Sequence, residues 1–402
     1  MRSARRRTDG ISDLLEAVAG AGADVTDDAE VAQPVRALGV VGVDEAPDAD
    51  LARWVDDALH EVRELLRRDV EVRLARARDL APVHAALWRA VADQIGGRLL
   101  RPRLTLAAFH GLGGRDVAAV APVAAAQEML HTAMLVHDDL LDHDETRRGR
   151  PNVAGSARQR LAARGVVGEP AEDQVLAAGV LGGDVALAAA FDLIASAPVD
   201  AELRLRAVRA LAAAVDTTVA GELLDMTGEL SGPTEVDALR VAELKTAVYS
   251  CCAPLAAGAL LAGADRPVLG VLDRYGTAFG VAFQLLDDEL GVFGDPAVTG
   301  KSVLSDLREG KRTELLRLAY LRADPAQHAV LDAGIGRRDL DRDGAQRVRS
   351  AIEASGALHE ARLVRLGAMA TARATAGDGL PAPLAAYLVR LVDALADPEP
   401  GA

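Results

Sequence analysis

Aromatic side chains are scarce in this sequence. They make up 3% of its 402 residues, although 50% of the residues are hydrophobic, so alanine, leucine and valine must fill the core. Sheets draw on β-branched and aromatic residues, and this composition therefore favours closely packed helices. No segment shows strand-like alternation bounded by Asn-Gly or Asp-Gly turns. The sequence predicts an all-α fold with a sizeable core.

Cysteine is almost absent. Cys251 and Cys252 are the only two cysteines, and they are adjacent. Neighbouring residues of a helix point in different directions, which prevents an ordinary disulfide between them. Because no other cysteine is present to pair with, the chain is typical of a reducing compartment, and we expect a cytoplasmic protein.

Positive charge is in deficit. The chain has 45 lysine and arginine residues against 60 aspartate and glutamate residues, which gives a net charge of −15 at pH 7. This balance argues against a general affinity for nucleic acid. The N-terminus carries Arg2, Arg5, Arg6 and Arg7, but no apolar segment follows them, so they do not form a secretory signal.

One uncharged run, at residues 246–264, is long enough to span a membrane. Pro254 interrupts it, and alanine and glycine dominate the rest. We therefore interpret the run as a buried core helix that is broken or kinked near the proline. We expect no integral membrane span.

Helical patterning starts near residue 50 and continues almost to the end of the chain. Residues 1–48 are poor in apolar runs and are predicted to form a disordered extension, whereas 49–398 form one catalytic domain. The loops 146–170 and 292–311 each follow a group of aspartates and are therefore candidate functional loops. The predicted helices are 51–78, 79–94, 99–112, 116–145, 171–196, 200–229, 235–250, 253–264, 267–291, 312–322, 343–357, 358–376 and 381–397.

The first group of aspartates closes an apolar helical run. Asp138, Asp139 and Asp142 stand together at its end, and the sequence then turns basic at Arg147 and Arg148. On a helix, Asp138 and Asp142 lie one turn apart on one face. Carboxylates are unfavourable at a helix C-terminus, where the dipole is already negative. We therefore expect cations to bind among them.

A second group ends another apolar run, with Asp287 and Asp288 following Phe283 and Gln284. Two carboxylate clusters at two helix ends, each followed by basic residues, indicate a polyphosphate held through divalent metal. Ligands that offer only oxygen suit Mg²⁺, which binds through a few carboxylates together with substrate phosphates.

Basic residues upstream and downstream fit the same interpretation. Arg98 and Arg101 follow two glycines at a predicted helix start, where one helical turn would separate them and let them grip a diphosphate. His131 lies seven residues before Asp138 and faces the same side of its helix.

Lys245 and Thr246 combine a cation with a hydroxyl, and Asp225 on the preceding helix is placed to orient Lys245. Lys301 and Lys311 lie in the second long loop, which could close on a phosphorylated substrate.

Together these stretches resemble the trans-isoprenyl diphosphate synthases, the polyprenyl synthetase family, over about residues 50–395. The motifs that carry the resemblance fall in family order: 96–102 (Gly-Gly-Arg-x-x-Arg-Pro), 138–142 with 147–149, Gly183-Asp184, Lys245-Thr246, 283–288, 299–301 and 307–313.

The resemblance implies an isoprenoid-synthase helical bundle around a deep central cavity, assembled as a homodimer. It implies a transferase that condenses isopentenyl diphosphate with an allylic diphosphate to make a longer all-trans prenyl diphosphate. Mg²⁺, three ions in each active site, would be held by Asp138, Asp142 and Asp287, with Asp139 and Asp288 supporting them.

The same resemblance assigns the remaining site residues. Isopentenyl diphosphate would be held by Arg98, Arg101, His131 and Arg148. The allylic diphosphate would be held by Arg147, Lys245, Lys301 and Lys311, with Thr246 and Gln284 near the developing carbocation. The catalytic set is Asp138, Asp142, Asp287, Arg147 and Lys245, which would stabilise the departing diphosphate.

The chain departs from the family pattern at three places. Gly291 stands where many members have a third aspartate of the second motif. Arg98 and Leu99 stand where lysine and arginine are usual. Glu222 replaces the usual glutamine.

Product length should depend on the room below Asp138. Met134 and Ala133 lie four and five residues before it, and Ala133 leaves space for a growing chain. We expect geranylgeranyl diphosphate as the product, with farnesyl diphosphate next.

Two other functions share part of this pattern. A class I terpene cyclase uses the same metal-dependent ionisation, but cyclases tend to carry an Asn/Asp-Asp-x-x-Ser-x-x-x-Glu second motif and need no isopentenyl site. A non-catalytic partner subunit of a synthase usually loses aspartates from one cluster, and both clusters are present here.

Overall fold

The computed structural model describes residues 47–294 and 304–396. Residues 1–46, which make up nearly all of the predicted extension, and Lys301 lie outside these ranges. The described part is almost entirely helical, which confirms the predicted all-α class. Its one sheet is a two-stranded antiparallel hairpin that pairs β1 (Thr146–Arg147) with β2 (Arg150–Pro151).

The helices before residue 262 include those that carry the first acidic cluster and its partners. They are α1 (Ala49–Leu80), α2 (Pro82–Ala92), α3 (Leu100–Gly111), α4 (Val117–Leu141), α5 (Val153–Ala162), α6 (Glu169–Ala195), α7 (Ala201–Gly228) and α8 (Ala238–Leu261).

The later helices carry the second cluster and the C-terminal part. They are α9 (Arg266–Phe293), α10 (Ser305–Glu309), α11 (Glu314–Arg322), α12 (Pro325–Gly334), α13 (Arg342–Ala354), α14 (Ala357–Ala376) and α15 (Ala382–Asp393).

Small residues let the central helices approach closely, as the composition predicts. Helix α4 buries a run of alanines at 124–126 completely. A Cβ atom on Gly183 of α6 would lie 2.0 Å from the ring of His137 on α4. A Cβ atom on Gly258 of α8 would lie 2.0 Å from the backbone oxygen of Thr105 on α3. Glycine therefore allows a ring to pack on the backbone of α6 at Gly183 and two backbones to meet at Gly258.

The described part of the bundle has three apolar clusters, the smallest of which packs Ala154 and Ala157 of α5 against Val175 of α6. The largest one joins residues of α1 to α9, α14 and α15, and includes fully buried Leu104, Met129, Leu255 and Tyr275. A smaller one joins the end of α9 to α10 through α14 around Leu307 and Leu331.

The helix that carries the first acidic cluster was predicted to run to residue 145, which is wrong. It ends at Leu141, and His143 adopts a left-handed φ of 58°. A non-glycine residue seldom takes this conformation, so the sequence held no clear stop signal. The chain then forms the hairpin and α5, which begins where the Asn152 side chain accepts the Gly155 N–H.

Other differences lie further along the chain. Helix α12 was not predicted, although its start carries two signals. A capping box joins Asp324 and Gln327, and Pro325 stands in the first turn. The run around Pro254 was predicted to be a helix that is broken or kinked near the proline. Helix α8 passes through the proline without a break, but its winding changes beside it, because Ala242–Cys252 is π-helical and α-helical winding resumes at Ala253.

Within the described residues, three helices, α4, α6 and α8, are long and apolar enough to cross a membrane by length and composition alone. In this bundle, 78%, 44% and 56% of their respective most apolar stretches are buried. The absence of a membrane span stays a prediction.

Candidate active site

The first acidic cluster lies at the C-terminal end of α4. Asp138 and Asp139 belong to its last turn, and Asp142 caps it by donating its backbone N–H to the Asp138 carbonyl. The three side chains are half-buried or buried, with Asp139 2% exposed. Three acids at the negative end of a helix dipole need nearby cations, and the fold supplies them from three separate segments.

Arg147 returns to this cluster on β1. Its Nε donates to Oδ1 of Asp139 at 2.8 Å, its Nη2 also contacts that oxygen, and its Nη2 lies 3.6 Å from Oδ2 of Asp138. The tight hairpin that follows α4 therefore places this arginine against two of the three acids.

Lys245 reaches the cluster from the π-helical part of α8. Its Nζ lies 3.2 Å from Oδ1 of Asp138 and donates to Oδ2 of Asp225 at 2.7 Å. The predicted contact between Asp225 and Lys245 is thus present. Lys311, just after α10, donates to Oδ2 of Asp142 at 2.7 Å.

The second cluster lies near the end of α9, where Asp287 is exposed and Asp288 is half-buried. Thr246 Oγ1 donates to Oε1 of Gln284 at 2.6 Å, and Gln284 Nε2 donates to Oδ1 of Asp288 at 2.7 Å. Lys245 and Thr246 are consecutive residues of α8, so one segment of this helix contacts Asp138 of the first cluster and, through Gln284, Asp288 of the second. The two clusters therefore belong to one site.

Charge crowding changes the acidity of these groups. Burial, together with the charges of Asp287, Asp306 and Asp225, raises the pKa of Asp288 to about 8. Burial would also raise the pKa of Asp138, but Lys245, Lys311 and Arg147 outweigh it, and the pKa of Asp138 is lowered. In the same cluster, burial raises the pKa of Asp139 and, together with the charge of Asp138, the pKa of Asp142. The neighbouring cations therefore favour the ionised form chiefly at Asp138.

Gly291, which departs from the family pattern, lies beside a carboxylate from another helix. A Cβ atom on Gly291 would lie 1.8 Å from Oδ2 of Asp306, which comes from α10. The Asp306 carboxylate thus fills the space where a longer side chain at position 291 would begin. The sequence analysis missed Asp306, because its closeness to Gly291 depends on how α10 packs against α9.

A second basic region surrounds the glycines at residues 96 and 97. The guanidinium of Arg148 lies against Gly97, where a Cβ atom would be 2.9 Å from Nη2. Gly96, Gly97, Leu99 and Arg148 all have positive φ angles. Backbone strain of this kind collects at binding sites.

Arg101 is 9% exposed and points into the bundle. Its Nη2 donates to Ser250 Oγ at 2.7 Å and to Tyr249 OH at 3.2 Å. Tyr249 OH is also 3.5 Å from Nδ1 of His131. Burial and the nearby arginines Arg101, Arg147 and Arg148 hold the pKa of His131 well below its usual range, so its imidazole is neutral near pH 7.

The predicted pairing of Arg98 and Arg101 on one helical face is wrong. Leu99, with a left-handed φ of 54°, precedes the first residue of α3, so Arg98 lies outside the helix. Arg98 is exposed, whereas Arg101 is buried.

Glu128 is an acid of this region that the sequence analysis missed. It is 2% exposed, and Gly96 N–H donates to its Oε1 at 3.4 Å. The sequence contained a signal for Glu128, because this residue stands three residues before His131 on the same helical face.

No group of three or more His, Cys, Asp or Glu side chains within 47–294 and 304–396 is arranged to hold a metal ion on its own. The donors of the two clusters are nevertheless all oxygen atoms. Mg²⁺ commonly binds a protein through one or two carboxylates and takes its other ligands from water and substrate phosphates. The donor set therefore fits Mg²⁺ ions that are shared with a diphosphate.

Comparisons with known proteins agree with this geometry. A family model described as polyprenyl synthetase matches residues 85–353. A geranylfarnesyl diphosphate synthase of Aeropyrum pernix is 37% identical over 269 residues, which are 65% of this chain and 77% of the relative. A geranylgeranyl diphosphate synthase of Mycobacterium tuberculosis is 35% identical over 273 residues, 66% of this chain and 71% of the relative.

A solved structure shares the fold as well. The geranylgeranyl pyrophosphate synthase of Corynebacterium glutamicum, complexed with isoprenyl diphosphate and magnesium, superposes with a TM-score of 0.80. It is 31% identical, and the match covers 85% of this chain and 99% of that structure.

Proposed function

Because the chain belongs to the polyprenyl synthetase family, whose members are prenyltransferases, we propose that it joins isopentenyl diphosphate to an allylic diphosphate and releases geranylgeranyl diphosphate. It is a short-chain trans-prenyl diphosphate synthase, and the length of its product is the part that we propose. Farnesyl diphosphate is the second candidate for that product.

One observation carries the proposal. The contacts Asp138 to Lys245, Thr246 to Gln284 and Gln284 to Asp288 bring both acidic clusters to one place. A diphosphate bound between the clusters would meet carboxylates on both sides.

Mg²⁺, three ions per site, would be held by Asp138, Asp142 and Asp287, with Asp139 and Asp288 supporting them. When bound, these ions supply charge stabilisation for the leaving diphosphate.

The chain's own cations would share this work. Arg147, Lys245 and Lys311 already surround the first cluster, where they can bind the oxygens of the allylic diphosphate and of the leaving group. From the sequence, we also assign Lys301 to the residues that would bind the allylic diphosphate.

Isopentenyl diphosphate would lie against Arg98, Arg101, His131 and Arg148. A neutral His131 can donate one N–H to a phosphate oxygen while its other ring nitrogen stays near Tyr249. The apolar interior of the bundle would exclude water from the allylic cation, and the departing diphosphate would accept the proton that is lost at the end.

The test is direct. Purified protein is incubated with labelled isopentenyl diphosphate, Mg²⁺ and each of the five-, ten- and fifteen-carbon allylic primers, and the products are sized. We expect prenyl diphosphates that are longer than each primer. Hydrolysed primer alone, or cyclic hydrocarbons, would contradict the proposal.

Product length gives a sharper prediction. Ala133 and Leu130 are fully buried on α4 on the apolar side of the first cluster, and Met134 is half-buried. In Ala133→Phe, the larger ring should block the growing chain and shift the product toward farnesyl diphosphate, whereas Ala133→Gly should not shorten it. An unchanged product distribution in Ala133→Phe would show that residue 133 does not control the length of the product.

We also propose a cytoplasmic homodimer. Helices α6 and α7 expose apolar side chains at helical spacing, which is unusual for a surface that faces only water. The exposed residues are Leu176, Val180, Leu181, Leu205, Val219, Leu223 and Leu224. A second copy of the chain, packed on this face, would cover them.

Sedimentation tests the dimer. The wild type should sediment as a dimer, and Leu181→Arg should dissociate it into monomers. Leu321→Arg, which places the same charge at an exposed leucine of α11, should leave the dimer intact. A monomeric wild type, or equal dissociation by both variants, would contradict this assembly.

A further inference from the structure

The ammonium group of Lys245 lies among three carboxylates. Its Nζ is 2.7 Å from Oδ2 of Asp225, 3.1 Å from Oε2 of Glu222 and 3.2 Å from Oδ1 of Asp138. An ammonium has three N–H donors, so this set can occupy all of them. Burial alone would lower the pKa of Lys245, but the three acids outweigh it and raise that pKa, which keeps the lysine charged.

Two of the three acids come from α7 and not from an acidic cluster. Glu222 and Asp225 stand three residues apart on one helical face. Gly221 lets this face touch α8, because a Cβ atom there would lie 2.3 Å from the backbone nitrogen of Lys245. Side-chain exposure is 21% for Glu222 and 19% for both Asp225 and Lys245, so water screens the group only partly.

This arrangement changes the charge that an anion would meet. If Asp138 contacts a metal ion, Lys245 still has Glu222 and Asp225 beside it, and these three groups together carry a net charge of −1. Glu222 contacts Lys245 with both of its carboxylate oxygens, at 3.1 and 3.2 Å. It therefore both fixes the ammonium and repels a diphosphate that approaches the same ammonium.

We propose that Glu222 is a positioning residue that holds Lys245 and weakens the binding of the allylic diphosphate, so that it sets the affinity for this substrate. The inference rests on the proposed function of the site. Glutamine at this position keeps the shape of the side chain and one acceptor for Lys245 but removes the negative charge. Affinity for a diphosphate should therefore rise in Glu222→Gln.

The experiment is a calorimetric titration of the full-length protein with inorganic pyrophosphate in the presence of Mg²⁺. We expect Glu222→Gln to bind pyrophosphate about three- to tenfold more tightly than the wild type, because one repulsive charge near the anion is gone. Glu222→Asp keeps the charge and should bind like the wild type. Glu202→Gln, the same substitution in the first turn of α7, should have no effect.

Steady-state kinetics gives a second readout, which would not change if Glu222 had a purely structural role. The KM for the allylic diphosphate should fall severalfold in Glu222→Gln, whereas the KM for isopentenyl diphosphate should stay unchanged. Thermal melting should show that the variant is folded.

The outcomes separate this inference from the proposed function. If the wild type does not bind pyrophosphate with Mg²⁺, the proposed function fails. If the wild type binds but Glu222→Gln binds equally or more weakly, the role of Glu222 is overturned and the proposed function stands. A repeat of the titration without Mg²⁺ shows why such a role fails: binding that is weaker in Glu222→Gln with Mg²⁺ but equal without it would make Glu222 a ligand of the metal.

Discussion

Replacement of either Asp138 or Asp287 by alanine is expected to lower the turnover of prenyl transfer at least about 100-fold while the fold survives. The two aspartates belong to different clusters on α4 and α9, and each supplies oxygen atoms that the other cannot replace. Turnover is measured with saturating primer, isopentenyl diphosphate and Mg²⁺, and folding is checked by circular dichroism.

Both variants should fold for reasons visible in the structure. Loss of Asp138 leaves Lys245 paired with Glu222 and Asp225, so no buried cation is left alone. Asp287 is exposed, so its truncation removes little packing.

A matched control comes from the same acidic stretch. Glu145 is exposed and pairs with Arg158 away from the site, and Glu145→Ala should keep nearly full turnover. Wild-type turnover in Asp138→Ala or in Asp287→Ala would show that the corresponding cluster does not take part in the reaction.

The substitution Gly258→Ala should destabilise the protein by about 2 kcal/mol or more. Its new methyl group would lie 2.0 Å from the Thr105 carbonyl oxygen and 2.9 Å from the Phe109 backbone nitrogen. Backbone atoms cannot rotate away as a flexible side chain can, so α3 and α8 must separate. The change is read from the free energy of unfolding in denaturant titrations.

The control is the same substitution in another helix. Gly270 lies in α9, and a Cβ atom there meets only the end of the Arg274 side chain at 3.8 Å. Gly270→Ala should be neutral or stabilise the protein by up to about 1 kcal/mol, because alanine favours helix over glycine. Equal stabilities of the two variants would show that α3 and α8 are less tightly packed than described here.

Features that repeat along the chain were predictable from the sequence. The long helices α4, α6, α7 and α9 follow the 3.6-residue period of their apolar positions, and the acidic clusters end two of them. The contact of Asp225 with Lys245 was also predicted, from the place of Asp225 on the preceding helix.

Local backbone choices were harder to predict. Helix α4 ends early, at Leu141, and His143 just after it takes a left-handed conformation that the sequence pattern does not mark. Arg148 takes the same conformation in the turn of the hairpin. The π-helical winding before Pro254 could not be predicted either, because the apolar positions were compared only with the 3.6-residue period of the α-helix. This winding spans both Lys245 and Thr246, which connect the two clusters.

Contacts between distant segments were the least accessible. The closeness of Asp306 to Gly291 and of Glu222 to Lys245 depends on how α10 and α7 pack against their neighbours. Such pairs follow from tertiary structure, and no spacing in the sequence encodes them.

The central claim is that the clusters around Asp138 and Asp287 bind metal ions together around one diphosphate. Crystals grown with Mn²⁺ and inorganic pyrophosphate would test it, because anomalous scattering locates each Mn²⁺ ion. The account predicts Mn²⁺ ions liganded by carboxylates of both clusters, with the pyrophosphate between them. Mn²⁺ bound at one cluster alone, or at two sites that share no pyrophosphate, would contradict it.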